Sequence, residues 1–256
     1  DALTTGDNNT AMGYLALSSE TLGDRSVAIG NFALQNQNNT SDTDVYNVAI
    51  GYDAGNDITT GTLNTIMGGL AGSALTTGEK NIAIGHNALA TEDTGGRSIA
   101  IGHGALRYQN NDASNYNTAI GYDAGTNITT GIQNTIMGGL AGDALTAGSY
   151  NVAIGYAALS AEDANGRNVA IGYHALVSQN AGADAYNVAV GFKAGENVST
   201  GVQNTLIGGS AGDSLTEGSY NVAIGYNALS TEDAHGRNVA IGRDALKLQD
   251  AGADGY

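Results

Sequence analysis

The residues of this chain best suited to chemistry are paired carboxylates. Glu92-Asp93, Glu162-Asp163 and Glu232-Asp233 each precede an arginine (Arg97, Arg167 or Arg237), and two close carboxylates can divide the roles of general acid and base. The two acids are sequence neighbours on Gly-containing turns. A solvated turn held by a local salt bridge is the reading they favour, with weak calcium binding as the alternative. His86 and His103 recur at one repeat position, as a shared metal would require, but no third ligand accompanies them. Tyr and Phe fill the same slot elsewhere, so the pair is expected in an aromatic column, while His174 and His235 occupy other slots. Gly68-Gly69-Leu70-Ala71-Gly72 lacks the Lys-Ser/Thr ending of a phosphate loop. No Ser/His/Asp arrangement separates itself from the many repeated serines and aspartates. The expectation is a protein that is not an enzyme and carries no cofactor.

What positions these groups is a repeat. The chain has 256 residues with Gly 39, Pro 0, Cys 0, Trp 0 and a formal net charge of -16. Many glycines and few large apolar residues favour thin layers over one globular core. Nine Lys+Arg against 25 Asp+Glu cannot supply a phosphate-neutralising patch, which excludes nucleic acid and anionic membranes as partners. Without cysteine there is neither a disulfide framework nor a thiolate metal site. No apolar run approaches the roughly 18 residues of a membrane span, so membrane insertion is not expected. Asp1 to Gly6 read as the end of a repeat, so the chain is expected to be a fragment of a longer one.

Alignment on Asn-Val-Ala-Ile-Gly gives fourteen coils, with the final glycine at 13, 30, 51, 68, 85, 102, 121, 138, 155, 172, 191, 208, 225 and 242. Most steps are 17 residues. Gly51, Gly121 and Gly191 stand 70 apart, so four coils form a cassette. The cassettes cover about 47–116, 117–186 and 187–256, after a partial one at 1–46, within a single continuous repeat region. Val48-Ala49-Ile50-Gly51 alternates large and small residues as a short strand does, and Thr-Thr-Gly or Asp-x-x-Gly-Arg runs supply turns. Glycine at this density argues against helices. The fold class expected is all-β: a parallel β-solenoid, or β-roll, of about fourteen coils stacked at ~4.8 Å, a rod on the order of 65 Å long.

Two columns stand out. Asn47, Asn64, Asn81, Asn117, Asn134, Asn151, Asn187, Asn204 and Asn221 open successive coils, with Ser26 and Ser98 as substitutes. They are expected to form a structural ladder, each amide bonding to the one above. The alanine before Ile-Gly recurs as Ala49, Ala83, Ala119, Ala153, Ala189 and Ala223, but becomes Ile66, Ile136 or Leu206 once per cassette. In those coils the residue after the glycine, elsewhere usually aromatic, shrinks to Gly69, Gly139 or Gly209. Such exchange of volume implies close packing on both faces of the strand. These nine residues are therefore expected to pack between subunits of a threefold bundle.

Tyr150-Asn151-Val152-Ala153-Ile154-Gly155-Tyr156 and Thr59-Thr60-Gly61 resemble repeats of phage tail fibres and of the heads of trimeric autotransporter adhesins. The resemblance covers essentially the whole chain. It implies a left-handed, trimeric β-roll used for attachment outside the cell, on a virion or cell surface. A structural fibre or adhesin segment, with a cell-surface or glycan receptor as partner, is the function expected. Thr59-Thr60, Thr76-Thr77 and Thr129-Thr130 raise an ice-binding solenoid as the alternative, although the pairs degrade to Thr146-Ala147 and Thr216-Glu217. Asn127-Ile128-Thr129 and Asn197-Val198-Ser199 match the glycosylation triplet, which Asn-rich repeats also produce by chance.

Overall fold

The structure is a computed structural model and describes residues 2–249. It consists of two compact units, Asp1–Thr130 and Gly131–Tyr256. No helix occurs among the described residues. The first unit contains β1 (Thr10–Met12), β2 (Gly23–Asp24), β3 (Val27–Ile29), β4 (Thr43–Asp44), β5 (Val48–Ile50), β6 (Thr65–Met67), β7 (Ile82–Ile84), β8 (Ile99–Ile101) and β9 (Thr118–Ile120). The second contains β10 (Thr135–Met137), β11 (Val152–Ile154), β12 (Val169–Ile171), β13 (Val188–Val190), β14 (Thr205–Ile207), β15 (Val222–Ile224) and β16 (Val239–Ile241). Each is a parallel β-solenoid of about seven coils, so the all-β fold and the repeat spacing follow the sequence expectation.

One three-residue strand per coil pairs in parallel with the strand of the next. In the first unit Ala49 registers with Ile66, Ile66 with Ala83, Ala83 with Ala100 and Ala100 with Ala119. In the second, Ile136, Ala153, Ala170, Ala189, Leu206 and Ala223 continue one another in the same way. Equal register keeps like residues in columns. A short second ladder pairs β2 with β4.

The glycine that ends each strand is required by two constraints together. At Gly51 the φ is 141°, a region that L side chains avoid. A Cβ there would lie 2.6 Å from the Gly68 carbonyl oxygen of the next coil. The backbone thus stacks on itself with no room for a side chain. Two further corners of the coil use left-handed backbone at ordinary residues, as at Asn87 (φ 57°) and Leu89 (φ 52°). Single αL residues of this kind turn a chain sharply without a long loop.

The interior is thin and mixed. Strand-centre alanines such as Ala49 and Ala83 are fully buried, as are Ala54, Ala88 and Ala105 and the larger Ile58, Leu75, Leu89 and Leu106. At the position of Ile58 and Leu75, two coils of the cassette instead place Glu92 and Gln109, also fully buried. Each cassette therefore alternates apolar layers with a polar one.

Candidate functional site: an outward strand face and its aromatic edge

Strand alternation decides which side chains are offered to a partner. Ala49, Ile66, Ala83, Ala119, Ile136, Ala153, Ala189, Leu206 and Ala223 have no exposed surface within a single chain. The expectation that they pack between subunits is therefore corrected: they fill the coil's own interior. The volume exchange has a different partner as well. A Cβ on Gly72 would lie 2.6 Å from Ile66 Cδ1, and one on Gly212 would lie 2.8 Å from Leu206 Cδ2. Ile66 thus occupies the space that Leu89 fills from the equivalent position of the following coil. Gly69, by contrast, faces the ring column: a Cβ there would lie 3.5 Å from His86 Cδ2.

The flanking residues face outward. Val48, Ile50, Ile82, Ile84, Ile99 and Ile101 are half-buried, and Met12, Met67, Met137 and Ile207 are exposed. The residue after the glycine borders this aliphatic strip with rings. His86 stacks on His103 at 5.5 Å and 17°, and His103 on Tyr122 at 5.2 Å and 11°. Tyr156, Tyr173 and Phe192 repeat the arrangement in the second unit at 5.7 and 5.4 Å. Tyr52, Tyr122, Phe192 and Tyr226 remain more than half exposed. Apolar strips of this continuity mark interaction surfaces.

A second ring column lies on the residue that precedes the Asn position. Tyr46, Tyr116, Tyr150, Tyr186 and Tyr220 sit there with positive φ, and arginines from adjoining coils lie over them. Arg167 stands 5.2 Å from the Tyr150 ring and 5.7 Å from that of Tyr186. Arg25 over Tyr46 and Arg97 over Tyr116 repeat the contact at 5.7 Å. The arginines also pair with the next coil: Arg25 with Asp44, Arg167 with Asp184 and Arg97 with the Ser114 hydroxyl.

The asparagine column lies inside the coils. Asn64 Oδ1 accepts the N–H of Asn81 on the next coil at 2.9 Å, and its Nδ2 donates to the Gly78 carbonyl at 2.9 Å. Asn47, Asn81, Asn151, Asn187, Asn204 and Asn221 make one or both of the same contacts. Asn134 donates to the Gly148 carbonyl, and Asn117 to Gln109 Oε1 at 2.7 Å. The bonds run mainly from side chain to backbone. At this corner the peptide groups have no strand ladder to enter, and the carboxamide supplies one donor and one acceptor to them.

The acidic turns depart from expectation. Asp163 and Asp233 are exposed, but Glu92, Glu162 and Glu232 are completely buried, so the solvated reading holds for the aspartates only. Gln109 Nε2 and Asn115 Nδ2 donate to Glu92 Oε2 at 2.9 and 2.8 Å, and the Gly95 N–H donates to Oε1 at 2.9 Å. Burial raises the Glu92 pKa, and these donors only partly offset it. Arg97 and Arg167 turn to the next coil instead of pairing with the glutamate of their own turn. Glu232 Oε1 lies 3.1 Å from His235 Nδ1. With Asp233 these form the group able to hold a metal ion among the described residues.

Two surface depressions, of about 260 and 230 Å³, are lined by residues including Glu79, Arg97 and Asp112 in one and Glu217, Tyr220 and Arg237 in the other. Both fall below the ~300–1,000 Å³ of small-molecule pockets. The threonine hydroxyls point along the stack: Thr59 Oγ1 donates to the Thr76 carbonyl and Thr76 Oγ1 to that of Asp93, at 3.2 and 3.1 Å. Among the described residues no helix is long and apolar enough to cross a membrane.

Residues 5–33 and 77–105 match the family model of the YadA head domain repeat. Those two stretches are similar to YadA-type head repeats. The resemblance to adhesin heads drawn from the sequence is thereby borne out. Each YadA-type stretch runs through a coil with Leu at the inner corner followed by a buried glutamate, Leu17 and Glu20 in one and Leu89 and Glu92 in the other. No curated protein and no solved structure matches the chain.

Proposed function

We propose that the chain is a non-enzymatic segment of a surface fibre or adhesin, assembled as a trimer of left-handed solenoids and displayed outside the cell. The observation that carries this reading is the outward strip of Val, Ile and Met, edged by stacked rings and repeated coil after coil. Such a strip offers a second copy a regular apolar surface, and closed symmetry would cover it on every subunit. The acidic turns keep neighbouring assemblies apart. Weak contacts to a cell-surface or glycan receptor, repeated along the segment, would gain avidity through effective concentration. The whole repeat region acts as one continuous element in this reading, on a virion or a cell. Engagement of the Thr59 and Thr76 hydroxyls along the stack weighs against the ice-binding alternative.

Sedimentation equilibrium tests the assembly. The chain at micromolar concentration is expected to sediment as a trimer, and Ile84→Asp, on the outward face, as a folded monomer. A wild-type monomer, or an Ile84→Asp trimer, would refute the proposed interface.

A further inference from the structure

The polar layer recurs with a graded set of partners. Glu20 accepts six hydrogen bonds: from the N–H groups of Thr21, Leu22, Gly23 and Asn39, from Gln37 Nε2 and from Asn39 Nδ2. Glu92 accepts four, from Gly95, Asn111, Gln109 and Asn115. Glu162 accepts none, although its carboxyl is fully buried. One donor is lost by sequence in the neighbouring coil: Ala185 stands where the Asn115 side chain donates to Glu92, whereas Asn111 donates through its backbone N–H, which Ala181 retains. Gln179 Nε2 and Asn168 Nδ2 are left without partners in the same layer.

We propose that Glu162 is a proton-binding site inside the second unit, uncharged in the tightly closed coil and ionised only as that layer loosens. A buried carboxylate without donors is far costlier than a buried carboxylic acid. Burial raises the Glu162 pKa and the Asp163 charge adds repulsion, while the Asn165 side chain and the Asn165 and Asp163 N–H groups lie near enough to lower it in part, none of them reaching hydrogen-bonding geometry. Glu20 shows the opposite balance, because its donors outweigh burial and lower its pKa.

The other titratable residues of the three coils concerned are Asp143 and Tyr150 on the coil before; Tyr156, Asp163 and Arg167 on its own; and Tyr173, His174, Asp184 and Tyr186 on the coil after. Arg167 is committed to Asp184, and His174 lies 3.3 Å from Glu196. A raised folded pKa means that the stabilisation is complete in acid and is lost as pH climbs through the folded value. The site therefore tightens this layer on acidification.

Amide exchange of the intact chain between pH 4.5 and 8, corrected for the intrinsic rate, tests the inference at Asn187, whose N–H donates to Asn168 Oδ1 at 3.1 Å. Its opening constant is expected to rise by up to tenfold per pH unit above the ordinary glutamate value of about 4.3 that Glu162 takes in the open coil, the slope of a single proton, and to level off at its raised folded value. Glu162→Gln should abolish the rise. Ala185→Asn, which restores the donor present beside Glu92, should make the rise level off at lower pH and with smaller amplitude by favouring the bound carboxylate. Asn115→Ala should enlarge the rise in the Glu92 layer, where burial already raises the carboxyl pKa. A flat wild-type profile, a rise that survives Glu162→Gln, or an Ala185→Asn profile identical to wild type would each overturn the proposal.

Discussion

Replacing Asn64 by alanine removes one rung of the inner column and leaves the strand untouched. Two buried contacts go with it: the acceptor for the Asn81 N–H and the donor to the Gly78 carbonyl, both at 2.9 Å. The bond in which Asn64 N–H donates to Asn47 Oδ1 remains, because it uses the backbone. A buried polar group deprived of its partner costs about 1–3 kcal/mol, so two such groups place the expected loss at roughly 2–6 kcal/mol. Stacked coils lose structure locally before they unfold as a whole, so chemical denaturation alone could spread the effect. Amide exchange read by NMR at Asn81 isolates it. Its protection should fall by about 30-fold or more at the lower bound of that loss, taking about 1.4 kcal/mol per factor of ten, while amides several coils away stay unchanged. Unaltered protection at Asn81, with a global loss below about 0.5 kcal/mol, would show that the column carries no structural load.

Two further changes probe the packing and the charge of the interior. Ile66→Ala should cost about 2–5 kcal/mol and Gly72→Leu about 1–3 kcal/mol, by cavity and by overpacking. The double variant should recover much of both, since Leu89 already holds αL backbone at the equivalent corner; a denaturation cycle with coupling near zero would contradict the shared volume. For Glu20, whose folded pKa is lowered, the stabilisation is present above the ordinary glutamate value of about 4.3 and is lost as pH falls through the folded one. Glu20→Gln should therefore destabilise the chain at pH 7 and do so progressively less below about pH 4, as thermal melts across pH would reveal.

The period, the strands and their parallel stacking were readable because glycine at each strand end is irreplaceable: Gly51 has positive φ and no space for a Cβ. The alternation Val48-Ala49-Ile50 was readable too, but not which side of it is inside. Two faces with a period of two look alike in sequence, and only closure of the coil shows that alanine, with its small volume, belongs in the narrow interior. The same ambiguity linked Ile66 with Gly69, three residues on, when its contact is Gly72, reached across the coil. Glu92 was read as solvated because glutamate is seldom buried. Its donors Gln109 and Asn115 lie 17 and 23 residues away on the next coil, and the clue was their recurrence as Gln37 and Gln179 in register with each glutamate.

The chain contains no cysteine, so single cysteines can report which face meets another copy. Ala83 and Ile84 are adjacent, one fully buried and the other half-buried on the outward strip. Under mild oxidation, Ile84→Cys should yield disulfide-linked oligomers, while Ala83→Cys stays unlinked and unreactive to thiol reagents until the chain is unfolded. Crosslinking through Ala83→Cys in the native protein, with none through Ile84→Cys, would reverse the two faces and contradict the account.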